Sequence, residues 1–234
     1  RPGVPALDGL FALAGLPDIA LDGDVVLALR RDALHALDSA ATLAPLGAFT
    51  LAGADFSRLA VEAGLAAIAE GPAVHLVDVS NPAAPSATST LVVPVGVATD
   101  LALASRTLFV ATGRTVEVHD VSIPAAPVLL GAWDGPEQDD VVAVRGDLAA
   151  TGGGSLVQLL DVSAPAAPSA LGSLPLADQV QCLAFGRDIL LAGCLATTFV
   201  LDVSDPMAPA VIGQVSAGAT DIVVASGRAF LASG

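Results

Sequence analysis

The sequence predicts an all-β fold, a β-propeller most economically built of six four-stranded blades and closed by pairing of its N- and C-terminal strands. Three observations carry this reading: a repeated unit of blade length, a proline-punctuated turn in each good copy, and short Val- and Leu-rich runs between turns. Four segments match closely: His75-Leu-Val-Asp-Val-Ser80, Glu117-Val-His-Asp-Val-Ser122, Gln158-Leu-Leu-Asp-Val-Ser163 and Phe199-Val-Leu-Asp-Val-Ser204. Each runs into a proline pair: Pro82/Pro85, Pro124/Pro127, Pro165/Pro168 and Pro206/Pro209. Weaker copies stand at Leu37-Asp38-Ser39 and Leu7-Asp8-Gly9. The aspartates Asp8, Asp38, Asp78, Asp120, Asp161 and Asp202 recur at a nearly even interval, shorter only at the first step. Such a period fits a propeller blade or a two-helix solenoid unit.

Composition within the repeat separates the two. In the unit from Asp100, apolar runs fall at Leu101–Ala104, Leu108–Ala111, Val116–Val121 and Val128–Trp133. Four short runs bounded by Gly, Pro, Ser or Asp read as strands A, B, C and D of a blade, with Asp-Val-Ser ending strand C. A helical repeat needs longer runs free of proline. The Ala- and Leu-rich segments Arg31–Leu43 and Arg58–Glu70 look helical by propensity. Both fall in register with strands of the better copies, so the repeat overrides them.

The Asp-Val-Ser-x-Pro-x-x-Pro unit, with an apolar pair before it and an Asp-apolar strand after it, resembles the LVIVD-repeat family of β-propellers. The resemblance covers the chain well from Val74 onward and is weak before that point. It implies an extracytoplasmic protein, periplasmic, secreted or on the surface of a bacterial or archaeal cell. It carries no catalytic residues with it. Residues 1–234 are then a single propeller domain. Val4–Ala14 is expected to supply a partial C–D pair and Ala219–Ser233 an A–B pair of one blade, although the first half-blade is short and has no proline pair after Asp8. Joining the ends in one blade removes the exposed edges of an open array.

Charge and composition narrow the partners. Twenty-four acids against nine bases give a net charge of −15, and all nine bases are Arg. Nothing here would neutralise phosphates, which argues against nucleic acid and anionic membrane as partners. The longest charge-free stretch, Val79–Thr99, is broken by three prolines. The most apolar stretch, Ile189–Leu201, is well short of the length a membrane-spanning helix needs. The chain begins at Arg1 with no signal-peptide pattern, which reads as a processed form or trimmed ends. Aromatic residues are 3 % of the chain, too few for sugar-binding platforms, and a single Trp cannot dock blades as quinone-cofactor propellers do. No sialidase-like arginine triad or Asp-box is present.

Candidate site residues follow from position in the blade. Asp78, Asp120, Asp161 and Asp202 end strand C, where a carboxylate caps the backbone N–H groups of the next turn; one per blade suits structure better than a metal. His35, His75 and His119 lie in strand C, too far apart on neighbouring blades to share an ion. They are expected to be packed and hydrogen-bonded. Cys182 and Cys194 lie on strands A and B of one hairpin; a turn at Gly186-Arg187 puts Cys194 three residues out of register, favouring buried free thiols over a disulfide. Gly152-Gly-Gly-Ser155 reads as a B–C turn, since no Lys or helix follows it.

Asp18, Asp55, Asp100, Asp140, Asp178 and Asp221 stand at or just before strand A, one per blade, where they would ring one mouth of the central channel. Crowded carboxylates need a cation, a proton or fixed N–H donors. Backbone caps are the favoured reading, because an oxygen-only cation site needs six to eight close ligands; a hydrated Ca²⁺ or Mg²⁺ is the alternative. No other cofactor is expected. Trp133, Asp134, Glu137 and Asp139 belong to the acidic loop Trp133–Asp140, the expected contact for a partner protein. By elimination the sequence points to a non-catalytic scaffold that binds another protein. The alternative is a metal-dependent hydrolase or lyase with its site at the channel mouth.

Overall fold

The computed structural model describes residues 16–39, 43–51, 54–135, 140–225 and 228–232. It is all-β, with no helix among the described residues. The chain forms two compact units.

The first unit holds two antiparallel four-stranded sheets and the turn Ile123–Pro127. One sheet is β1 (Asp18–Asp22), β2 (Val25–Leu29), β3 (Ala33–Asp38) and β4 (Pro45–Thr50); the other is β5 (Arg58–Glu62), β6 (Leu65–Glu70), β7 (Ala73–Asp78) and β8 (Ser86–Val92). In both, strands lie in chain order, so each hairpin adds the next strand to the edge. The segments with helical propensity became β3, β5 and β6: an Ala-rich strand is a poor strand by itself, but β3 and β6 each lie between two others and are largely buried, and β5 pairs along its length with β6. Leu27, Leu29, Leu34 and Ala36 from one sheet meet Phe56, Ala66, Ile68 and Val77 from the other in one buried cluster.

The second unit carries three more four-stranded sheets and a two-stranded one. They are β9 (Asp100–Ala104), β10 (Thr107–Ala111), β11 (Thr115–Asp120) and β12 (Val128–Asp134); β13 (Val141–Arg145), β14 (Leu148–Gly153), β15 (Leu156–Asp161) and β16 (Ser169–Pro175); β17 (Val180–Phe185), β18 (Ile189–Cys194), β19 (Thr198–Asp202) and β20 (Ala210–Val215); and β21 (Asp221–Ala225) with β22 (Arg228–Ala232). Apolar clusters fill the space between consecutive sheets. Phe109, Val116 and Val118 pack on Val142, Ala149 and Leu160. Val157 and Leu159 pack on Leu190, Ala192 and Leu201. Leu191 packs on Ile222. Second and third strands are buried along almost their whole length, whereas the fourth is largely exposed.

A bulge interrupts the pairing of third and fourth strands in all five four-stranded sheets, at Ala36/Leu37, Leu76/Val77, Val118/His119, Gln158/Leu160 and Val200/Leu201. Beside it the fourth strand approaches the Pro-x-x-Pro turn of the next repeat so closely that a side chain is excluded. A Cβ on Gly47 would stand 2.5 Å from the Pro82 oxygen, one on Gly131 2.7 Å from the Ala166 oxygen, and one on Gly172 2.5 Å from Pro209 Cδ. Gly172 also donates its N–H to the Pro206 carbonyl at 2.8 Å. The proline turn is therefore the device by which one repeat grips its predecessor.

Candidate functional site

The aspartates that end the third strands are turn caps. Asp78 Oδ1 accepts the Ser80 N–H at 2.9 Å and its hydroxyl at 2.6 Å; Asp202 does the same with Ser204 at 2.9 and 2.7 Å. Asp120 and Asp161 accept the N–H of Ser122 and Ser163 at 2.8 and 2.9 Å. These bonds favour the charged form and hold all four carboxyls below the usual range, the hydroxyl contributing most at Asp78, Asp161 and Asp202 and the N–H at Asp120.

The aspartates near the first strands divide between the units and differ in environment. Asp18 accepts its neighbour's N–H (Ile19, 2.7 Å) on Oδ1 and that of Leu59, on the next sheet, at 2.8 Å on Oδ2. Asp100 makes the equivalent bond to its own next sheet, accepting the Val142 N–H at 2.9 Å. Asp178 accepts Gln179, Ala196 and Thr197 N–H groups, and the Ala196 bond leads in pulling its carboxyl down. Asp221 accepts Ile222 at 2.7 Å. Asp55 instead pairs with Arg31 at 2.5 Å, both side chains being mostly exposed, and burial pushes Asp140 up. Among the described residues no three His, Cys, Asp or Glu side chains converge as metal ligands would. In chemistry these carboxylates act as acceptors for backbone amides, two of them tying one sheet to the next.

All three histidines lie in third strands. Cross-strand pairing puts His75 opposite Ile68 on one side and Thr90 on the other. Its Nε2 meets Glu70 Oε2 at 2.7 Å, its Nδ1 meets Thr90 Oγ1 at 3.0 Å, and the Phe56 ring stands edge-on at 5.7 Å. His119 Nε2 meets Glu117 Oε2 at 2.9 Å with both side chains buried, two residues apart on one face of β11. Burial, then Arg30, lowers His35, against an upward pull from Asp32. Sequence reading placed the histidines but missed their glutamates. The only signal was a Glu two residues before His119 and five before His75 on strands otherwise apolar.

Both cysteines are free and buried. The hairpin register differs from the one expected: Phe185 faces Leu190, so the turn is Arg187-Asp188 rather than Gly186-Arg187, and Cys182 faces Gly193. A bulge at Val180/Cys182 then leaves Cys194 opposite Val180. Cys182 packs in the cluster with Leu191 and Ile222, Cys194 in the separate one with Leu190 and Leu201, so the thiols are on opposite faces of one sheet. Burial first, with nearby Asp221 and Asp100 at Cys182 and Asp178 at Cys194, pushes both thiols up to about 12. They are packing groups, far from the thiolate a nucleophile needs.

The expected partner loop is described in part. Glu137 and Asp139 lie outside the described residues. Asp134 ends β12 and is exposed; Trp133 is partly buried against Phe109, Val116 and Val142, so its ring belongs to the core margin. Its indole Nε1 is buried without a hydrogen-bond partner among the described residues. The Gly152–Ser155 segment makes the expected turn between β14 and β15.

Serial four-stranded antiparallel sheets, four of them gripped by the next repeat's proline turn, define a β-propeller-type repeat protein. Residues 55–91 match the LVIVD repeat, which bears out the resemblance seen in the Asp-Val-Ser units. No curated protein matches the chain in sequence. Among solved structures it is similar to a chain of the Mitotic Checkpoint Complex, with 16 % identity, TM-score 0.71, and 87 % of this chain and 65 % of that one covered. It is similar to the WD40 repeats of RRP9 at 15 % identity and TM-score 0.70, covering 87 % of this chain and 68 % of that one. It is also similar to the Pan2 WD40 domain of Neurospora crassa at 15 % identity and TM-score 0.68, covering 91 % and 69 %. The chain thus spans about two thirds of these structures. At such identities the likeness speaks for the fold alone.

Proposed function

We propose that this chain is a non-catalytic β-propeller scaffold that binds another protein in an extracytoplasmic or cell-surface setting. The observation that carries the reading is that its chemically capable side chains are spent inside the fold. The described inner aspartates mostly hold backbone amides, two histidines hold glutamates, and both thiols are pushed up to about 12. What remains outward is contact surface: the fourth strands with Val128, Leu129, Val211 and Ile212 exposed, and Asp134 at the β12 end leading into the acidic loop. A protein partner fits the β-propeller repeat fold shared with a chain of a checkpoint complex and with WD40 repeats; the setting rests on what the resemblance of the Asp-Val-Ser units implies. Six blades belong to the same reading, with Val4–Ala14 (outside the described residues) completing the blade begun by β21 and β22.

The experiment is chemical cross-linking and co-purification of the native protein, compared with a Trp133→Ala, Glu137→Ala double variant. Loss of a cross-linked partner in the variant supports the loop as the interface. Turnover of ester, phosphoester or glycoside substrates by the purified protein, abolished by EDTA, would replace the scaffold reading with a metal hydrolase.

A further inference from the structure

Three side chains of the first unit form one hydrogen-bonded line that runs from a held carboxylate to an exposed hydroxyl. The turn Gly71-Pro72 joins β6 to β7, with Gly71 at φ +55°, the left-handed conformation that such a turn takes at its first central residue. That turn fixes the register, so His75 lies opposite Ile68 and diagonal to Glu70 on the same face. On the other side of β7, short of the bulge, His75 lies opposite Thr90 of β8. Carboxylate, imidazole and hydroxyl thus come from three neighbouring strands of one sheet. Glu70 Oε2 meets His75 Nε2 at 2.7 Å, and His75 Nδ1 meets Thr90 Oγ1 at 3.0 Å.

The acid sets the direction of the line. A carboxylate only accepts, so His75 Nε2 carries the ring proton and Nδ1 presents its lone pair. Thr90 then donates its hydroxyl proton to an unprotonated ring nitrogen. Glu70 is itself pinned, since its Oε1 accepts the Asp55 N–H at 3.3 Å, and the Phe56 ring stands edge-on to the imidazole at 5.7 Å. His75 is 9 % exposed, whereas Thr90 is exposed on the edge strand of its sheet. In the other four-stranded sheets the matching cross-strand pairs are His35 with Ala48, Glu117 with Ala132, Gln158 with Ser173 and Phe199 with Gln214. The repeat folds without an imidazole facing a hydroxyl, so the fold does not require this one.

We propose that Thr90 is a nucleophilic hydroxyl, with His75 as its general base and Glu70 as the positioning carboxylate, that accepts an acyl group from a small activated ester. Thr90 Oγ1 bonds to the carbonyl carbon as its proton passes to His75 Nδ1. The ester C–O bond breaks, and the leaving alcohol takes the proton from the imidazolium that Glu70 has stabilised. This goes beyond the scaffold reading and does not depend on it: one transfer per chain marks the protein and turns nothing over.

The test is reaction of the full chain with 4-nitrophenyl acetate in EDTA, followed by nitrophenolate release and by mass mapping of the adduct. The sequence holds no Lys and no Tyr, which would otherwise compete for such an ester. The expected result is one acetyl group on Thr90, formed about 100-fold or more faster than on Ser86, which is exposed on the same strand. Thr90→Ser should keep the adduct and Thr90→Val should remove it. His75→Gln, the residue that stands at the matching place in β15 as Gln158, should bring the rate down to that of Ser86. Glu70→Gln can donate as well as accept, so it frees the ring to take the other tautomer and should slow labelling while the Tm holds. Equal labelling of Thr90 and Ser86, an adduct on His75 in place of Thr90, or a rate unchanged in both His75→Gln and Glu70→Gln overturns the inference and leaves the line a structural bond. Release that continues past one equivalent overturns the single transfer.

Discussion

Ser89 holds Pro124 by a side chain where three other repeats hold their successor's turn by having none. The Ser89 hydroxyl reaches the Pro124 carbonyl at 2.5 Å, and Thr88 Oγ1 lies 3.5 Å from the same oxygen. The equivalent glycines at positions 47, 131 and 172 let the turn's backbone approach to where a Cβ would clash. One docking problem thus has two solutions, close packing or a hydroxyl bridge across a wider gap. Ser89→Ala keeps the volume and removes the donor, so it should cost about 1 kcal/mol, typical of one lost hydrogen bond. Ser89→Asn, a larger group in the same gap, should cost more. Urea titration of both variants checks this; equal stability of Ser89→Ala and parent would show the bond contributes nothing.

The glycine solution gives the converse expectation. Gly131→Ala places a methyl 2.7 Å from the Ala166 oxygen and 2.8 Å from the Pro165 oxygen, both backbone atoms that no rotamer change can move aside. Overpacking of this kind costs about 1–3 kcal/mol. Gly23→Ala, with nothing within 4 Å but a φ of +58°, should cost about 1 kcal/mol from backbone strain alone. If Gly131→Ala is the milder of the two, the turn does not bear on β12 as described.

The strands and their order were legible because the Asp-Val-Ser-x-Pro-x-x-Pro unit repeats at nearly constant spacing, and that outweighed the helical propensity of Arg58–Glu70. The caps were legible too, since a carboxylate two residues before a serine at a strand end has few other roles. The Cys182 register was missed for a physical reason. Hairpin register depends on the turn and on any bulge, and the bulge beside Cys182 leaves no mark in residue type. The glutamate partners of His75 and His119 were missed because pairing across strands depends on register as well. Gly131 and Gly172 were visible four residues after Pro127 and Pro168, but their meaning needed the neighbouring turn.

The thiols predict a loss of stability at high pH. A thiol has an ordinary value near 9.0, and both cysteines are pushed up to about 12 in the fold, chiefly by burial. The unfolded chain therefore releases these protons first as pH rises. Their stabilising contribution is complete below pH 9 and is lost progressively between about 9 and 12. Cys182→Ser, Cys194→Ala should flatten the alkaline limb of a Tm-against-pH curve. Native protein should react with a thiol reagent at pH 8 only at the rate of global opening. Rapid labelling of two thiols per chain at that pH would contradict the buried placement.

At the acid end the sign reverses. Asp78, Asp120, Asp161 and Asp202 are held below their ordinary value of 3.8 by the serine that follows each. Their contribution is complete above about pH 4 and disappears as pH falls through the depressed folded values. Asp78 is exposed and the other three are partly exposed, so each effect is small and screened by salt. The test is the sum over four repeats. A variant with all four changed to Asn, which keeps an acceptor but no charge, should show a weaker acid dependence of Tm below pH 4 than the parent. An unchanged acid limb would assign it to other carboxyls.

Cation dependence can be predicted from the first-strand aspartates. Asp100 Oδ2 accepts the Val142 N–H at 2.9 Å and Asp18 Oδ2 the Leu59 N–H at 2.8 Å, so in each the oxygen is engaged by the neighbouring sheet. Asp178 has both oxygens occupied by three backbone amides. A Ca²⁺ ion needs six to eight oxygen ligands at about 2.3–2.6 Å, and it would have to break these bonds to recruit the carboxylates. The gain from charge neutralisation would be offset by the amides left without acceptors, at about 1–3 kcal/mol each where they are buried. Melting curves in millimolar Ca²⁺, in Mg²⁺ and in EDTA should therefore coincide. Asp100→Asn, which can still accept from Val142 through its amide oxygen, should be closer to parent than Asp100→Ala. If Ca²⁺ instead raises the Tm by several degrees, and Asp100→Asn abolishes that rise, these carboxylates are ligands before they are caps.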